Sequence, residues 1–173
     1  MSDAFKLTYS TMFNPPPELH ARFDAALAEF KHSGMGRDHP QWIDGAAAEG
    51  GERFEVRSPI DQDWLMGRFV QGSADDVDRA VQAARAAYPA WAATPWRERV
   101  ALLRRAARLI EERVYAISAA VAVEVGKNRM EAIGEVQETA DLIDWYADRM
   151  EEADGFDRPL ADDPLPNFKS HNR

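Results

Sequence analysis

Four glutamates in the second half of the sequence come closest, by type and spacing, to a set that could do chemistry. They recur at intervals of seven, four and three residues, which places side chains on one face of an α-helix: Glu124, Glu131, Glu135 and Glu138. A carboxylate that faces a cleft can act as a general acid or base. Because Lys127 and Arg129 are near in sequence, the pattern favours a solvated helix face with partial ion pairing. The alternative is that one of these carboxylates faces a substrate.

Other reactive side chains do not form a recognisable catalytic or metal-binding set. The histidines lie on a predicted helix face, in a loop and in the tail, without metal-ligand spacing: His20, His32, His39 and His171. The sequence holds no cysteine, so it predicts no disulfide, thiolate ligand or cysteine nucleophile in this chain. It also contains no evident Ser–His–Asp set and no glycine-rich dinucleotide loop. These patterns therefore predict no catalytic, cofactor-binding or metal-binding residue.

The charge balance restricts the classes of partner. The formal net charge is -9 at pH 7 and the pI is about 4.9. Because an acidic surface repels phosphate backbones, this balance argues against a nucleic-acid partner. Arg104, Arg105 and Arg108 form a basic patch on this acidic protein. We interpret the patch as a solvated or subunit-facing surface rather than an anion site.

Length and hydropathy indicate the class of protein. The 173 residues correspond to one domain or a little more, and a hydrophobic fraction of 45% is sufficient for a core. No apolar run approaches the roughly 20 residues that span a bilayer. The N-terminal residues lack the basic stretch followed by an apolar one that is typical of a signal peptide. Together with the absence of cysteine, these features predict a reduced, soluble, cytoplasmic protein without a membrane partner.

The elements that would position these side chains begin with an N-terminal helix. In "FNPPPELHARFDAALAEFK", Asn14 is the predicted cap, prolines fill the first helical positions, and apolar residues recur at helical spacing. The glycine-rich "HSGMGRDHP" predicts a loop. The segments "PQWIDG", "RFEVRSP" and "DWLMGRFVQG" are runs of β-formers between turn residues. They predict a small antiparallel meander of about three strands.

After Gly72 the apolar period becomes helical. Ser73, followed by Asp75 and Asp76, predicts the start of a helix whose apolar face comprises Val77, Val81, Ala84, Tyr88 and Trp91. Thr94 and Pro95 predict the start of the next helix. The alanine-rich "AISAAVAVEV" predicts a helix packed closely by others. The fold class predicted from these elements is α+β, mostly helical, with about five helices.

The stretch "VGKNR" predicts a sharp corner between two helices. Gly126 can adopt the left-handed conformation that ends a helix, and Asn128 can cap the next one. Glu131, three residues later, can close a capping box. An apolar stripe follows on the last helix: Ile133, Val136, Ala140, Ile143, Ala147 and Met150. A helix rather than a strand precedes the Gly-Lys pair, so the corner does not fit a phosphate-binding loop.

The order of these segments resembles the N-terminal part of the NAD-dependent aldehyde dehydrogenase superfamily. The resemblance covers about residues 39–150. It is carried by "WIDG", "FEVRSPIDQDWLMGRFVQG", "VDRAVQAARAAYPAW", the "PWRER" helix start and the "EVGK" corner. It implies the N-terminal part of that family's α/β fold, with a helix and loop over residues 1–38. Residues 39–152 would then form the N-terminal part of the dinucleotide-binding domain. Residues 153–173 would form an extended tail that leads into a linking strand.

Three features resemble the 1-pyrroline-5-carboxylate dehydrogenases in particular. They are "EVGKN" at the corner, the N-terminal helix and "ADLIDWYADRM". This resemblance implies a parent reaction in which NAD oxidises glutamate γ-semialdehyde to glutamate during proline breakdown. In that subfamily a glutamate on the helix after the corner lies close to the aldehyde. The matching position is Glu138, which the resemblance implies as a substrate-proximal residue.

The chain also departs from the family. Its members are much longer, and their catalytic cysteine, activating glutamate, oxyanion-stabilising asparagine and NAD-holding turn lie downstream of the resembling region. We therefore expect a truncated or split enzyme whose isolated chain lacks both dehydrogenase activity and bound NAD. The alternative is a free-standing helical interaction protein. Such a protein would bind a full-length homologue or self-associate through apolar helix faces left exposed.

Overall fold

Five α-helices make up most of the described part of the chain. The computed structural model describes residues 13–159 and 171–172. The helices are α1 (Pro17–Glu29), α2 (Ala74–Ala93), α3 (Trp96–Glu112), α4 (Val114–Val125) and α5 (Arg129–Glu152). A π-helical turn, Phe30–Gly34, extends α1, and a 3₁₀ turn, Asp154–Phe156, follows α5. The mostly helical α+β prediction with about five helices is confirmed.

Short strands form three small sheets. β1 (Arg37–His39), β5 (Leu65–Val70) and β4 (Arg53–Arg57) form one sheet in that order. β2 (Gln41–Ile43) and β3 (Ala46–Ala48) form an antiparallel hairpin. Asp44 and Gly45 both have positive φ at its turn, as a two-residue hairpin loop requires. β6 (Arg158–Pro159) pairs antiparallel with β7 (His171–Asn172).

The predicted strand segments do form strands, but their pairing differs from a simple antiparallel meander. β4 and β5 pair antiparallel, as predicted, whereas the third strand of their sheet is β1, which pairs parallel to β5. β1 lies within "HSGMGRDHP", which was predicted as a loop. The imidazole of His39 stacks on the ring of Phe69 across this pair, with centroids 4.7 Å apart. A strand of three residues is too short to show an alternating apolar pattern in the sequence. β1 is a strand because its backbone pairs with β5.

The hydrophobic core lies where α1, α4 and α5 meet. Leu19 and Phe23 of α1 pack with Ala122 of α4 and with Ala132 and Ile133 of α5. Small residues on α4, including the fully buried Ala119 and Ser118, allow this close approach. Further along α5, Val136, Ala140 and Ala147 are buried, so the predicted stripe of this helix is the one that faces the core.

Two predicted caps differ in the structure. α1 begins after Pro16 without a side-chain cap, because the extended Pro15–Pro16 segment separates Asn14 from the helix end. Thr94 ends α2 instead of beginning α3. Its N–H and Oγ1 donate to the carbonyl of Ala90 at 3.1 and 2.9 Å, and α3 begins at Trp96 after Pro95.

The predicted corner between α4 and α5 is formed as expected. Gly126 has φ +74° and ends α4, and Asn128 Oδ1 accepts the N–H of Glu131 at 3.0 Å. Within this described segment the Glu131 carboxylate does not accept the N–H of Asn128, so the predicted capping box is only half formed. A Cβ added at Gly126 would lie 3.2 Å from Cγ of Pro59, so the β4–β5 loop packs directly on the corner.

That loop is anchored to α4 by a buried hydroxyl. Ser58 is fully buried, and its Oγ donates to the carbonyl of Val123 at 2.5 Å. Val123 lies in the last turn of α4, where helix carbonyls lack partners within the helix. The same Oγ accepts the N–H of Ile60 at 3.2 Å, which fixes the Ser-Pro turn.

A complete capping box begins α2. The hydroxyl of Ser73 accepts the N–H of Asp76, and the carboxylate of Asp76 accepts the N–H of Ser73 at 2.8 Å. The Ser73 N–H, then the Arg79 guanidinium and then the Ser73 hydroxyl hold the pKa of Asp76 well below its usual value. The ionised carboxylate therefore contributes to the stability of the first turn of α2.

Acidification should weaken the start of α2, because the pKa of Asp76 is lower in the folded state than in the unfolded state. The stabilisation is complete above the ordinary pKa of 3.8 and is lost as the pH falls through the lower value of the folded state. We expect Asp76→Asn to be less stable than the wild type at neutral pH, and the difference to shrink below about pH 4. Urea unfolding followed by circular dichroism at several pH values measures this difference. Asp75→Asn is the control, and a difference that does not vary with pH would contradict the prediction.

α2 differs from the other helices because it has no buried residue. It packs chiefly against β2. Nε2 of Gln41 in β2 donates to Oδ2 of Asp76 at 3.5 Å. The predicted apolar face of α2 is consequently exposed, whereas the equivalent faces of α1, α4 and α5 form the core.

Candidate functional site

The acidic face predicted on α5 exists and is solvated. Glu131, Glu135 and Glu138 are exposed on this helix, and Glu124 is exposed at the end of α4. Lys127 pairs with Glu135 across the corner, which agrees with the predicted partial ion pairing. Glu138 forms no hydrogen bond or ion pair with another residue of the described ranges. Its carboxylate is therefore available to a ligand or partner, while its role near a substrate stays a prediction.

Arg129 does not pair with these glutamates. Its guanidinium contacts Nδ1 of His20 at 2.8 Å and the carboxylate of Asp24, both on α1. It also lies over the ring of Phe23, 4.9 Å from the centroid. Arg129 therefore holds α1 against the first turn of α5.

Arg104 differs from the other two arginines of the predicted basic patch because it forms ion pairs within the chain. Its guanidinium extends from α3 to three carboxylates of α5: Asp144 at 3.1 Å, Asp148 at 2.7 Å and Glu151 at 2.6 Å. The hydrogen bonds that its guanidinium donates to Asp148 and Glu151 raise the pKa of Arg104 above its usual value. Sequence could not reveal this network, because the partners lie at least 40 residues away. Arg105 and Arg108 remain exposed on α3.

The described residues do not assemble a metal site. No group of three or more histidine, aspartate or glutamate side chains within residues 13–159 and 171–172 could hold an ion. His20 contacts Arg129, and His39 stacks on Phe69. These contacts give both histidines a role in packing the fold. None of the helices in this part of the chain is both long enough and apolar enough to cross a bilayer.

The structure forms an aromatic groove that the sequence did not reveal. It has a volume of about 520 Å³ and lies between the end of α2, the start of α3 and the last turns of α5. Aromatic side chains form its walls: Trp91, Trp96, Trp145, Tyr146 and Phe156. The apolar lining is completed by Val100, Leu103, Ala147 and Met150. Trp145, Tyr146 and Phe156 are far from Trp91 and Trp96 in the sequence, and only the fold brings these side chains together.

Guanidinium groups stand over the aromatic rings of this groove. Arg97 lies 4.1 Å from the Trp96 centroid, and Arg149 lies 5.5 Å from that of Trp145. The indole of Trp145 and the ring of Tyr146 meet edge to face at 5.0 Å. Such a surface favours apolar or aromatic groups, and its lining contains no carboxylate, imidazole or thiol, so it is suited to binding rather than to catalysis.

The start of α2 does not fit the pyrophosphate of a dinucleotide. A helix N-terminus close to glycines is the usual feature that binds such a group, and the Gly72–Ser73 start of α2 is the nearest equivalent. The carboxylate of Asp76 already accepts the N–H of Ser73 at this position and would repel a phosphate. β5, which precedes α2, is also separated from it by an extended segment instead of a tight glycine-rich turn.

Comparison with known sequences gives a consistent result. Residues 42–170 match the model of the aldehyde dehydrogenase family. A 1-pyrroline-5-carboxylate dehydrogenase of Staphylococcus haemolyticus is 34% identical over 142 residues, which are 82% of this chain and 27% of that protein. 1-Pyrroline-5-carboxylate dehydrogenase 2 of Bacillus subtilis is 32% identical over 150 residues, 87% of this chain and 29% of that protein. The chain thus spans less than a third of the length of these relatives.

Comparison with solved structures agrees with the sequences. The chain superposes on 1-pyrroline-5-carboxylate dehydrogenase from Thermus with bound NAD, with a TM-score of 0.81 and 26% identity. The superposition covers 96% of this chain and 32% of the Thermus chain. The five helices and small sheets therefore match the N-terminal part of that fold, as the order of sequence segments predicted.

Proposed function

Because the chain belongs to the aldehyde dehydrogenase family, we propose that it supplies the N-terminal scaffold of a 1-pyrroline-5-carboxylate dehydrogenase. The parent reaction would be the NAD-dependent oxidation of glutamate γ-semialdehyde to glutamate in proline degradation, carried out in the cytoplasm. The observation that supports this proposal best is the superposition of nearly the whole chain on the Thermus enzyme. The two sequence relatives of the same name support it further.

The 173 residues alone should not oxidise an aldehyde. The reaction needs a thiolate that attacks the aldehyde, and this chain has no cysteine. It also needs donors at the developing oxyanion and a nicotinamide placed to accept the hydride. The start of α2 does not fit a pyrophosphate, and the lining of the aromatic groove contains no carboxylate, imidazole or thiol. The chemical groups would come from polypeptide equivalent to the remaining two thirds or more of the relatives.

Glu138 is the residue that we assign to the neighbourhood of the substrate. Its carboxylate is exposed and without a partner among the described residues, and it lies on α5 beyond the corner. Its neighbour Glu135 is instead paired with Lys127. Of these two carboxylates on one face of α5, Glu135 therefore has a structural role, whereas that of Glu138 is available to a substrate.

A chimera tests the proposal. In the Bacillus subtilis relative, the matching N-terminal segment is replaced by residues 13–159 of this chain, and NADH formation with glutamate γ-semialdehyde is measured. We expect turnover by the chimera and none by the purified 173-residue chain. Glu138→Gln should lower kcat/KM of the chimera by at least about tenfold, whereas Glu131→Gln should change it little. Turnover by the isolated chain, or a folded chimera without turnover, would refute the proposal.

A second candidate function is that of a free-standing helical interaction protein. The aromatic groove and the exposed face of α2 favour it, since exposed apolar surfaces of this kind mark sites of association. Size-exclusion chromatography with and without the full-length relative measures such binding. A stable monomer without affinity for the relative would contradict this second function.

A further inference from the structure

The sequence contains two Asp-Gly pairs, and the structure places them in turns of different kinds. Asp44–Gly45 is the loop of the β2–β3 hairpin, whereas Asp154–Gly155 lies in the 3₁₀ turn after α5. An aspartate carboxyl group can close a ring onto the next backbone nitrogen. A following glycine favours this reaction, because it has no side chain to shield its N–H. The surroundings of each pair therefore decide whether it can react.

The first pair is unconstrained at the tip of its hairpin. Asp44 and Gly45 are both exposed, and the carboxylate of Asp44 forms no hydrogen bond or ion pair with another residue of the described ranges. A Cβ built on Gly45 would have no atom within 4 Å, so the space around this turn is open. No described side chain therefore holds the Asp44 carboxyl group away from the N–H of Gly45.

The hairpin that carries this turn can open locally. β2 and β3 have three residues each, none of which is buried. Within the described part of the chain they form a two-stranded sheet by themselves, an arrangement that is marginally stable in water. Segments with few buried contacts open at a small cost in free energy. Opening releases Asp44 from its left-handed conformation, φ +54°, and gives its side chain the freedom that ring closure needs.

The second pair is instead held in place by α3. Nη2 of Arg97 donates to the carboxylate of Asp154 at 2.6 Å, although both side chains are exposed and such an ion pair contributes little. The stronger restraint is steric. A Cβ built on Gly155 would overlap the indole of Trp96, so this ring packs directly on the backbone of the pair. Ring closure at Asp154 therefore requires that the indole be displaced.

We propose that Asp44–Gly45 is a site of spontaneous succinimide formation and aspartate isomerisation. The nitrogen of Gly45 attacks Cγ of the protonated Asp44 carboxyl group and forms an N–Cγ bond. The carboxyl hydroxyl and the proton of the Gly45 N–H leave together as water. Water then opens the succinimide. Cleavage of the N–Cγ bond restores aspartate, whereas cleavage between the Gly45 nitrogen and the main-chain carbonyl carbon of Asp44 gives isoaspartate. Water is the sole co-reactant, and no atom is oxidised or reduced.

The isoaspartate product would alter the hairpin. It adds the Cβ atom of residue 44 to the main chain, and a two-residue loop of this kind requires a fixed backbone geometry. The pairing of β2 with β3 should therefore be lost. The modification concerns the backbone chemistry of this chain and does not depend on the activity proposed above.

Isotope labelling from the solvent tests the site. The purified 173-residue chain is incubated in mildly acidic buffer made with heavy-oxygen water, digested with trypsin in ordinary water and analysed by mass spectrometry. Each passage through the succinimide leaves a solvent oxygen in the product. We expect the peptide of residues 38–53, which holds Asp44, to gain at least about fivefold more label than that of residues 150–169, which holds Asp154. Fragmentation of the peptide should place the label at Asp44.

A substitution and an unfolded sample are the matched controls. Asp44→Asn keeps a preferred turn sequence and should convert faster, because ammonia replaces water as the leaving group. In concentrated urea both pairs lose their surroundings, so the two peptides should gain label at similar rates. Circular dichroism establishes that the chain in the first sample is folded. A folded chain without label at Asp44, with equal label in both peptides, or with a preference that persists in urea would overturn the proposal. These readouts involve no enzyme activity, so they are independent of the chimera experiment.

Discussion

Replacement of Phe23 by alanine should lower the free energy of unfolding by about 3–4 kcal/mol, the cost typical of removing a buried phenylalanine ring. Phe23 is 3% exposed and packs in the cluster that joins α1 to α4 and α5. Its ring also lies under the guanidinium of Arg129, which pairs with Asp24 of the same helix. Removal of the ring would leave a cavity in this cluster and weaken the packing of α1 on α4 and α5.

Urea unfolding followed by circular dichroism measures the loss. Phe13→Ala is the matched control, because Phe13 is 88% exposed and its removal should change the free energy of unfolding by less than about 0.5 kcal/mol. Equal effects of the two substitutions would contradict the assigned core.

Ser58→Ala should lower the free energy of unfolding by about 2 kcal/mol. The hydroxyl is fully buried and donates to the carbonyl of Val123, which lies in the last turn of α4. Removal leaves this buried carbonyl without its donor and costs the desolvation of that group. The N–H of Ile60 loses its acceptor at the same time.

The control for Ser58 is another serine that donates to a helix carbonyl at the surface. Oγ of Ser33 bonds the carbonyl of Glu29 at 3.0 Å, but this contact is exposed, so water can replace it. Ser33→Ala should therefore change stability by less than about 0.5 kcal/mol. Hydrogen exchange of the α4–α5 corner should increase in Ser58→Ala and not in the control. An unchanged corner would contradict the anchoring role.

Local chemistry was sufficient to predict most helix boundaries. Gly126 and Asn128 form the corner, and Ser73 caps α2, because each motif acts over four residues or fewer. The segment of β1 was predicted as a loop because its order depends on pairing with β5, about 30 residues later. Asn14 looked like a cap but is separated from α1 by prolines. Predictions thus failed where a tertiary partner or a restricted backbone outweighed the local pattern.

The candidate site was less accessible to sequence reasoning. The acidic face around Glu135 follows from helical periodicity, and the structure confirms it as solvated. The aromatic groove joins residues from Trp91 to Phe156, and no periodic pattern connects positions so far apart. The same distance hid the partners of Arg104. Side chains on one helix could therefore be grouped in advance, whereas those from different helices could not.

The packing of α1 on α4 and α5 also sets an order of events during synthesis. Leu19 and Phe23 leave the ribosome roughly 100 residues before Ala122 and Ile133, with which they pack. At about 5–20 residues per second, the apolar face of α1 waits roughly 5–20 s for its partners. During that interval this face is open to binding by a nascent-chain chaperone.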